Sequence, residues 1–272
     1  MSMTEPRTIA VDSLEVSFQI AGRADAPRLV LLHGFPLDRR MWTPALDRLG
    51  EQFHVYAFDL PGFGGSARIA DSETMPMLAD WLARVLPAAE IDSPIILCGL
   101  SMGGYIALEF AARHREWLSH LVLCDTKTAA DTEEARAGRL ALADSVGETG
   151  MEPVAATMLE KLVAPETLAD NRPLVASVQK MMLDSDPASV AAVSRGMAAR
   201  RDTSDVVAGL TIPLLSIVGE SDSLTSPGMM DEFTRRARNG RLVVIPAAGH
   251  LSPMEQPKAF AAAVIEFVSR RR

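Results

Sequence analysis

Ile95-Ile96-Leu97-Cys98-Gly99-Leu100-Ser101-Met102-Gly103-Gly104 decides how this chain is read. An apolar run stops at Gly99, a serine follows two residues later, and a glycine pair opens the next segment. Residues 102–113 are apolar except for Tyr105, Glu109 and Arg113, a narrow i, i+4 stripe. A helix with so little polar face belongs in the middle of a fold. The pattern is a strand, a tight turn and a buried helix, with Ser101 at the apex. Flanking glycines leave room for a strained backbone, and the hydroxyl projects above the sheet. The helix N-terminus supplies positive potential where an oxyanion would form. Ser101 is therefore a candidate nucleophile.

Outward from that turn, short apolar runs alternate with helix-like stretches. Residues 29–32, 53–58, 121–124, 214–218 and 242–245 are bounded by Gly, Pro or Asp and predict strands buried on both faces. Val11 and residues 14–21 predict an opening hairpin turning at Asp12-Ser13. Residues 38–49, 75–86 and 257–270 predict amphipathic helices. This alternation implies an α/β fold with a parallel sheet covered on both faces. Residues 127–210 break the rhythm. They hold Ala, Met and Leu at helical spacing, with Gly147, Gly150, Pro153, Pro165, Pro173 and Pro187 as breakers. They predict an insertion of about four helices, roofing a site beyond the carboxyl ends of the strands.

Composition narrows the function classes. The chain has 272 residues, 48% of them apolar and 23% charged, with 27 Lys and Arg against 35 Asp and Glu, a formal net charge of −8. An acidic chain gains nothing from a phosphate backbone, so nucleic acid is not expected as a partner. No apolar run approaches the ~20 residues that span a bilayer, so no membrane partner is expected. The first residues do not read as a signal peptide, and two cysteines make no disulfide framework, so a cytoplasmic setting is expected. Cys98 and Cys124 read as small core residues, and Arg270-Arg271-Arg272 as a solvated tail. No His/Cys/Asp cluster has metal-ligand spacing. Gly62, Gly64 and Gly65 resemble a phosphate loop, but no Lys-Ser/Thr follows.

A serine nucleophile needs a base and an orienting carboxylate. Of five histidines, His250 follows the last strand in Ala247-Ala248-Gly249-His250. His54 opens a strand, His114 and His120 read as surface residues, and His33 sits where it could orient a loop. Asp222 follows residues 214–218 through Gly219-Glu220-Ser221, and the order Ser101, Asp222, His250 fits a catalytic triad. Asp125 and Asp59 also end strands; Asp125 is the direct rival, whereas Asp59 leads into a glycine-rich turn. The expected oxyanion donors are the amides of Met102 and Phe35, because Pro36 has no N–H. The side chains of Phe35 and Met102 would then line the substrate pocket. Met151, Met158, Met181, Met182 and Met197 would supply an adaptable apolar surface or fill gaps.

Four motifs carry a resemblance to the α/β-hydrolase family. They are His33-Gly34-Phe35-Pro36, Asp59-Leu60-Pro61-Gly62-Phe63-Gly64-Gly65-Ser66, Gly99 to Gly104, and Gly249-His250. The chain is most similar to the group of 3-oxoadipate enol-lactonases, small carboxylesterases and cofactor-free haloperoxidases (perhydrolases), through His33-Gly34-Phe35-Pro36-Leu37-Asp38 with Met41-Trp42. The resemblance implies a mostly parallel eight-stranded sheet flanked by helices, with a core of residues 1–126 and 211–272. The helical cap, residues 127–210, would be inserted before the strand that precedes Asp222. It implies a serine hydrolase for a small or medium ester or lactone, without metal or cofactor. A homo-oligomer is compatible with it. Perhydrolysis, with Pro36 turning the Phe35 carbonyl toward incoming peroxide, carbon–carbon bond hydrolysis, and a non-catalytic receptor on the same fold are the alternatives. Ser101 argues against the dehalogenases of this scaffold, which use an Asp nucleophile.

Overall fold

The computed structural model describes residues 5–92 and 94–269. Arg270, Arg271 and Arg272 lie outside the described residues. The core strands are β1 (Arg7–Val11), β2 (Leu14–Ala21), β3 (Arg28–Leu32), β4 (His54–Phe58), β5 (Ile95–Leu100), β6 (Leu118–Cys124), β7 (Leu214–Gly219) and β8 (Gly240–Ile245). They form one sheet in the order β1-β2-β4-β3-β5-β6-β7-β8. β1 pairs antiparallel with β2, and β2 antiparallel with β4; all later pairs are parallel. Asp12 and Ser13 both have positive φ, as a two-residue hairpin turn requires. This is the α/β sheet that the alternation predicts. One strand departs from it: β8 is half exposed, because it has only β7 beside it and forms the sheet edge.

Two apolar layers cover the sheet. One holds α2 (Met75–Ala88), α3 (Met102–Arg113) and, near the far edge, α10 (Pro227–Thr234), with Leu82, Ile106 and Met230 inward. The other holds α1 (Thr43–Gly50), α11 (Ser252–Glu255) and α12 (Pro257–Ser269), with Leu46, Phe260 and Val264 inward. Fully burying one such side chain contributes roughly 1.5–3 kcal/mol, so Phe260→Ala, which also leaves a cavity, costs about 3–5 kcal/mol. The helix expected over residues 38–49 is split. Arg39–Trp42 forms a 3₁₀ turn capped by Asp38, and α1 restarts with Pro44 in its first turn. Cys98 and Cys124 are free and buried on neighbouring strands, Sγ to Sγ 3.7 Å.

Between β6 and β7 lie six helices: α4 (Glu133–Thr149), α5 (Glu152–Leu162), α6 (Pro165–Asp170), α7 (Arg172–Leu183), α8 (Pro187–Ala198) and α9 (Ser204–Ala208). The count exceeds four because Pro153, Pro165, Pro173 and Pro187 each stand in the first turn of a helix and start it. Gly147 lies inside α4 and breaks nothing. The inserted helices are tied to the strand-end loops. Leu251 N–H donates to the Leu162 carbonyl at 3.0 Å, and Glu73 N–H to the Ala192 carbonyl at 3.1 Å. Glu255 accepts from both Gly249 N–H at 2.8 Å and Ala164 N–H at 2.7 Å, so one carboxylate joins the loop before His250 to the inserted segment. No described helix is long and apolar enough to cross a membrane.

Candidate active site

Ser101 heads α3 with φ 52° and ψ −110°, a backbone that side chains other than glycine rarely adopt. The surroundings hold it there. Ser101 N–H donates to the Cys124 carbonyl at 2.9 Å, and Thr126 Oγ1 donates to the Ser101 carbonyl at 2.8 Å. The flanking glycines are required by close approach: a Cβ on Gly99 would overlap the Gly103 carbonyl, and one on Gly103 would overlap the Leu32 carbonyl. The turn is therefore locked to both β3 and β6.

His250 lies on the loop after β8 and is 3% exposed. Its Nδ1 is 2.8 Å from Asp222 Oδ2. An ionised carboxylate only accepts, so Nδ1 carries the proton and Nε2 keeps its lone pair. Asp222 Oδ1 accepts from Leu224 N–H at 2.8 Å and Thr225 N–H at 3.0 Å, while Oδ2 also accepts from the Thr225 hydroxyl. Burial alone would raise this carboxyl, but attraction to the imidazole when it is protonated and the bonds from His250 and Thr225 outweigh it and hold it below its ordinary value.

The structure separates Asp222 from its rivals. Asp125 Oδ1 accepts from Gly219 N–H at 2.8 Å and Oδ2 from Ser252 Oγ at 2.5 Å, so it braces β7 against α11. Burial, and then the Asp222 carboxylate, push Asp125 well above the usual carboxylate range, which suits a neutral brace. Asp59 accepts from Arg39 N–H at 2.9 Å and Gly65 N–H at 2.8 Å and pairs with the Arg39 guanidinium, organising the glycine-rich turn. His33 Nε2 accepts from Leu60 N–H at 2.9 Å, so its Nδ1 donates to the Gly34 carbonyl at 3.0 Å. Both nitrogens are engaged, and burial lowers its basicity. His54 bonds Tyr56, His114 bonds Asp80, and His120 packs on Phe267.

A cavity of about 250 Å³ opens between the strand ends and the inserted helices, and both Ser101 and His250 line it. Phe35 lines it too. Met102 does not: its side chain is fully buried in the apolar layer beneath the sheet, because the first turn of α3 directs it inward. Its expected pocket-lining role is thereby corrected, while its amide stays beside Ser101. Of the five methionines, Met158 and Met197 reach the cavity, and Met151, Met181 and Met182 are packed in the core layers. Sequence reasoning missed the cavity's polar lining: Lys127, Arg139 and Lys161, with Thr225 beside His250. Lys127 lies three residues beyond β6, at the carboxyl edge, which was the available signal. Arg139 and Lys161 sit on α4 and α5, within the segment read only for its apolar helical spacing and its methionines. No group of three or more His, Cys, Asp or Glu among the described residues is arranged to hold a metal.

An eight-stranded, mostly parallel sheet with a serine-bearing strand–turn–helix at its centre is the architecture of an α/β-fold hydrolase. The family profile described as Alpha/beta hydrolase family matches residues 29–263, and the chain belongs to that family. It is 28% identical over 255 residues to the pimeloyl-[acyl-carrier protein] methyl ester esterase of Edwardsiella ictaluri, covering 92% of this chain and 95% of the relative. It is 26% identical over 261 residues to 3-oxoadipate enol-lactonase 1 of Acinetobacter baylyi, covering 95% and 96%. Among solved structures, a thermophilic esterase from Thermogutta terrifontis, determined with malate bound, superposes with a TM-score of 0.91 at 36% identity, covering 98% of each chain.

Proposed function

We propose that the protein hydrolyses small or medium carboxylic esters or lactones through an acyl-enzyme on Ser101. The observation that carries this reading is the strained serine at the head of α3, opening on the same cavity as a histidine whose Nδ1 is tied to a buried carboxylate. In this reading Ser101 Oγ attacks the carbonyl carbon, and His250 Nε2 takes the serine proton. Asp222 holds the imidazole in the required tautomer and stabilises the imidazolium. The amides of Met102 and Phe35, with the α3 N-terminus, receive the oxyanion. His250 then protonates the leaving alkoxide, and water activated by the same histidine clears the acyl group. Residues 127–210 act as a cap that shapes the acyl site over a core of residues 1–126 and 211–272. The esterase and lactonase names of the similar proteins support the reaction class. A lactone is an internal ester and follows the same steps.

The test is turnover of p-nitrophenyl esters of graded chain length and of simple lactones by wild type and Ser101→Ala. Wild type is expected to hydrolyse short to medium chains, and the variant to retain less than about 1% of that activity, since only oxyanion stabilisation and binding remain. Full activity in the variant would overturn the proposal.

A further inference from the structure

The catalytic cavity is basic in a chain of net charge −8. Lys127, Arg139 and Lys161 line it, and no Asp or Glu does so among the described residues. Behind this wall a buried carboxylate, Asp131, gathers three cations. Lys127 Nζ lies 3.2 Å from Oδ1, Arg139 Nε donates to Oδ2 at 2.6 Å, and Arg200 Nη2 donates to Oδ1 at 2.8 Å. Arg200 is itself buried and stacks over the Tyr105 ring, 4.2 Å from guanidinium carbon to centroid. Three cations share one carboxylate, which leaves a local excess of positive charge at the cavity wall, where Lys127 and Arg139 lie; Asp202 offsets part of the Arg200 charge from outside the cavity. A purely structural cluster gains nothing from that surplus, because crowding like charges in a partly desolvated place costs free energy. Arg200 alone would neutralise Asp131. The other two cations retain donors: Lys127 Nζ has two further protons, and Arg139 Nη2 meets no protein acceptor among the described residues. Asp131 fixes both cations in place, with its carboxyl held down to about 2 against the burial that would raise it. Lys161 makes no ion pair among the described residues.

We propose that Lys127 and Arg139 form an anion subsite within the catalytic cavity, so that the preferred substrate is an ester or lactone that carries a free carboxylate. The proposal rests on the ester-hydrolase reading above and names its substrate class. The carboxylate takes the donors of Lys127 and Arg139 that Asp131 leaves unused, while the ester carbonyl sits at Ser101. A single carboxylate suits a space of about 250 Å³ and two cations better than a bulky polyanion does.

The test compares two substrates of matched length, the mono-p-nitrophenyl ester of glutaric acid and p-nitrophenyl pentanoate. Wild type should prefer the acidic ester in kcat/KM by about tenfold or more, since each charged hydrogen bond is worth roughly that factor. Lys127→Met and Arg139→Met should each cut the preference about tenfold, Arg139→Lys should restore part of it, and salt should weaken it. Thermal melts check that the variants fold. Equal or lower kcat/KM for the acidic ester, with both esters turned over, would overturn the subsite and leave the hydrolase reading standing. A parallel calorimetric titration of wild type with glutarate, against valeramide, needs no turnover. If neither ester is hydrolysed, glutarate binding that Lys127→Met abolishes would still support the subsite, and no glutarate binding would refute it.

Discussion

Replacing Asp222 with Asn tests how the histidine is oriented, and the geometry predicts which way the new amide points. Oδ1 accepts two backbone N–H groups, from Leu224 and Thr225. Only the amide oxygen can take that place, because an NH₂ there would face two donors. The NH₂ must therefore occupy the Oδ2 position, 2.8 Å from His250 Nδ1. A donor at that point obliges Nδ1 to accept, which moves the ring proton to Nε2 and removes the lone pair that should receive the serine proton. The Thr225 hydroxyl, which donates to Oδ2 in the wild type, loses that acceptor as well. The expected loss is about 10⁴-fold in kcat, or roughly 5.5 kcal/mol of transition-state stabilisation. The assay is kcat for a p-nitrophenyl ester, with circular dichroism to confirm the fold. The control is Asp125→Asn, where the amide oxygen can keep the Gly219 N–H and the NH₂ can donate to Ser252 Oγ. That change replaces a carboxyl already pushed toward its neutral form and should cost much less activity. A folded Asp222→Asn protein losing under 100-fold, or a larger loss from Asp125→Asn, would refute the reasoning.

Met158→Ala and Met197→Ala should shift the preferred acyl length, by at most about 1–3 kcal/mol of discrimination per methylene. Met181→Ala and Met182→Ala should instead destabilise the fold by about 2–5 kcal/mol and leave the acyl-length profile alone, as chain-length series and denaturant melts will tell. Glu73 is a buried carboxyl raised by burial from its ordinary 4.5 to about 7. The unfolded chain then releases its proton before the native state does, so stability falls as pH rises from about 4.5 to 7, by about 3 kcal/mol at most. Glu73→Gln should flatten that fall, raising Tm relative to wild type more at pH 8 than at pH 5. An equal difference at both pH values would contradict the assignment.

The strands were legible because buried parallel strands are short apolar runs with punctuated ends, and Ser101 because its glycines and buried helix leave little else that Ile95 to Gly104 can form. Chain order could not choose Asp222 over Asp125, because both fall between Ser101 and His250. Both carboxylates end strands, and only hydrogen-bond geometry distinguishes one bonded to His250 from one bonded to Gly219 and Ser252. The inserted segment was less legible. Proline ends or starts a helix with the same letter, so Pro165 and Pro187 read as breaks although they begin α6 and α8. Nor could spacing predict the basic wall of the cavity. Arg139 and Lys161 lie on helices whose outer faces are also charged, and which face meets the cavity depends on how α4 and α5 dock. Met102 misled for a related reason: a residue beside the candidate nucleophile keeps its backbone next to the serine while its side chain fills the core.

The most direct measurement of an activated serine is intact-mass and peptide mapping after treatment with a fluorophosphonate. Wild type should give a single phosphonyl adduct on the Ser101 peptide, Ser101→Ala none, and His250→Ala much slower labelling. No adduct on Ser101 in folded wild-type protein, or equal labelling rates in wild type and His250→Ala, would contradict an activated Ser101.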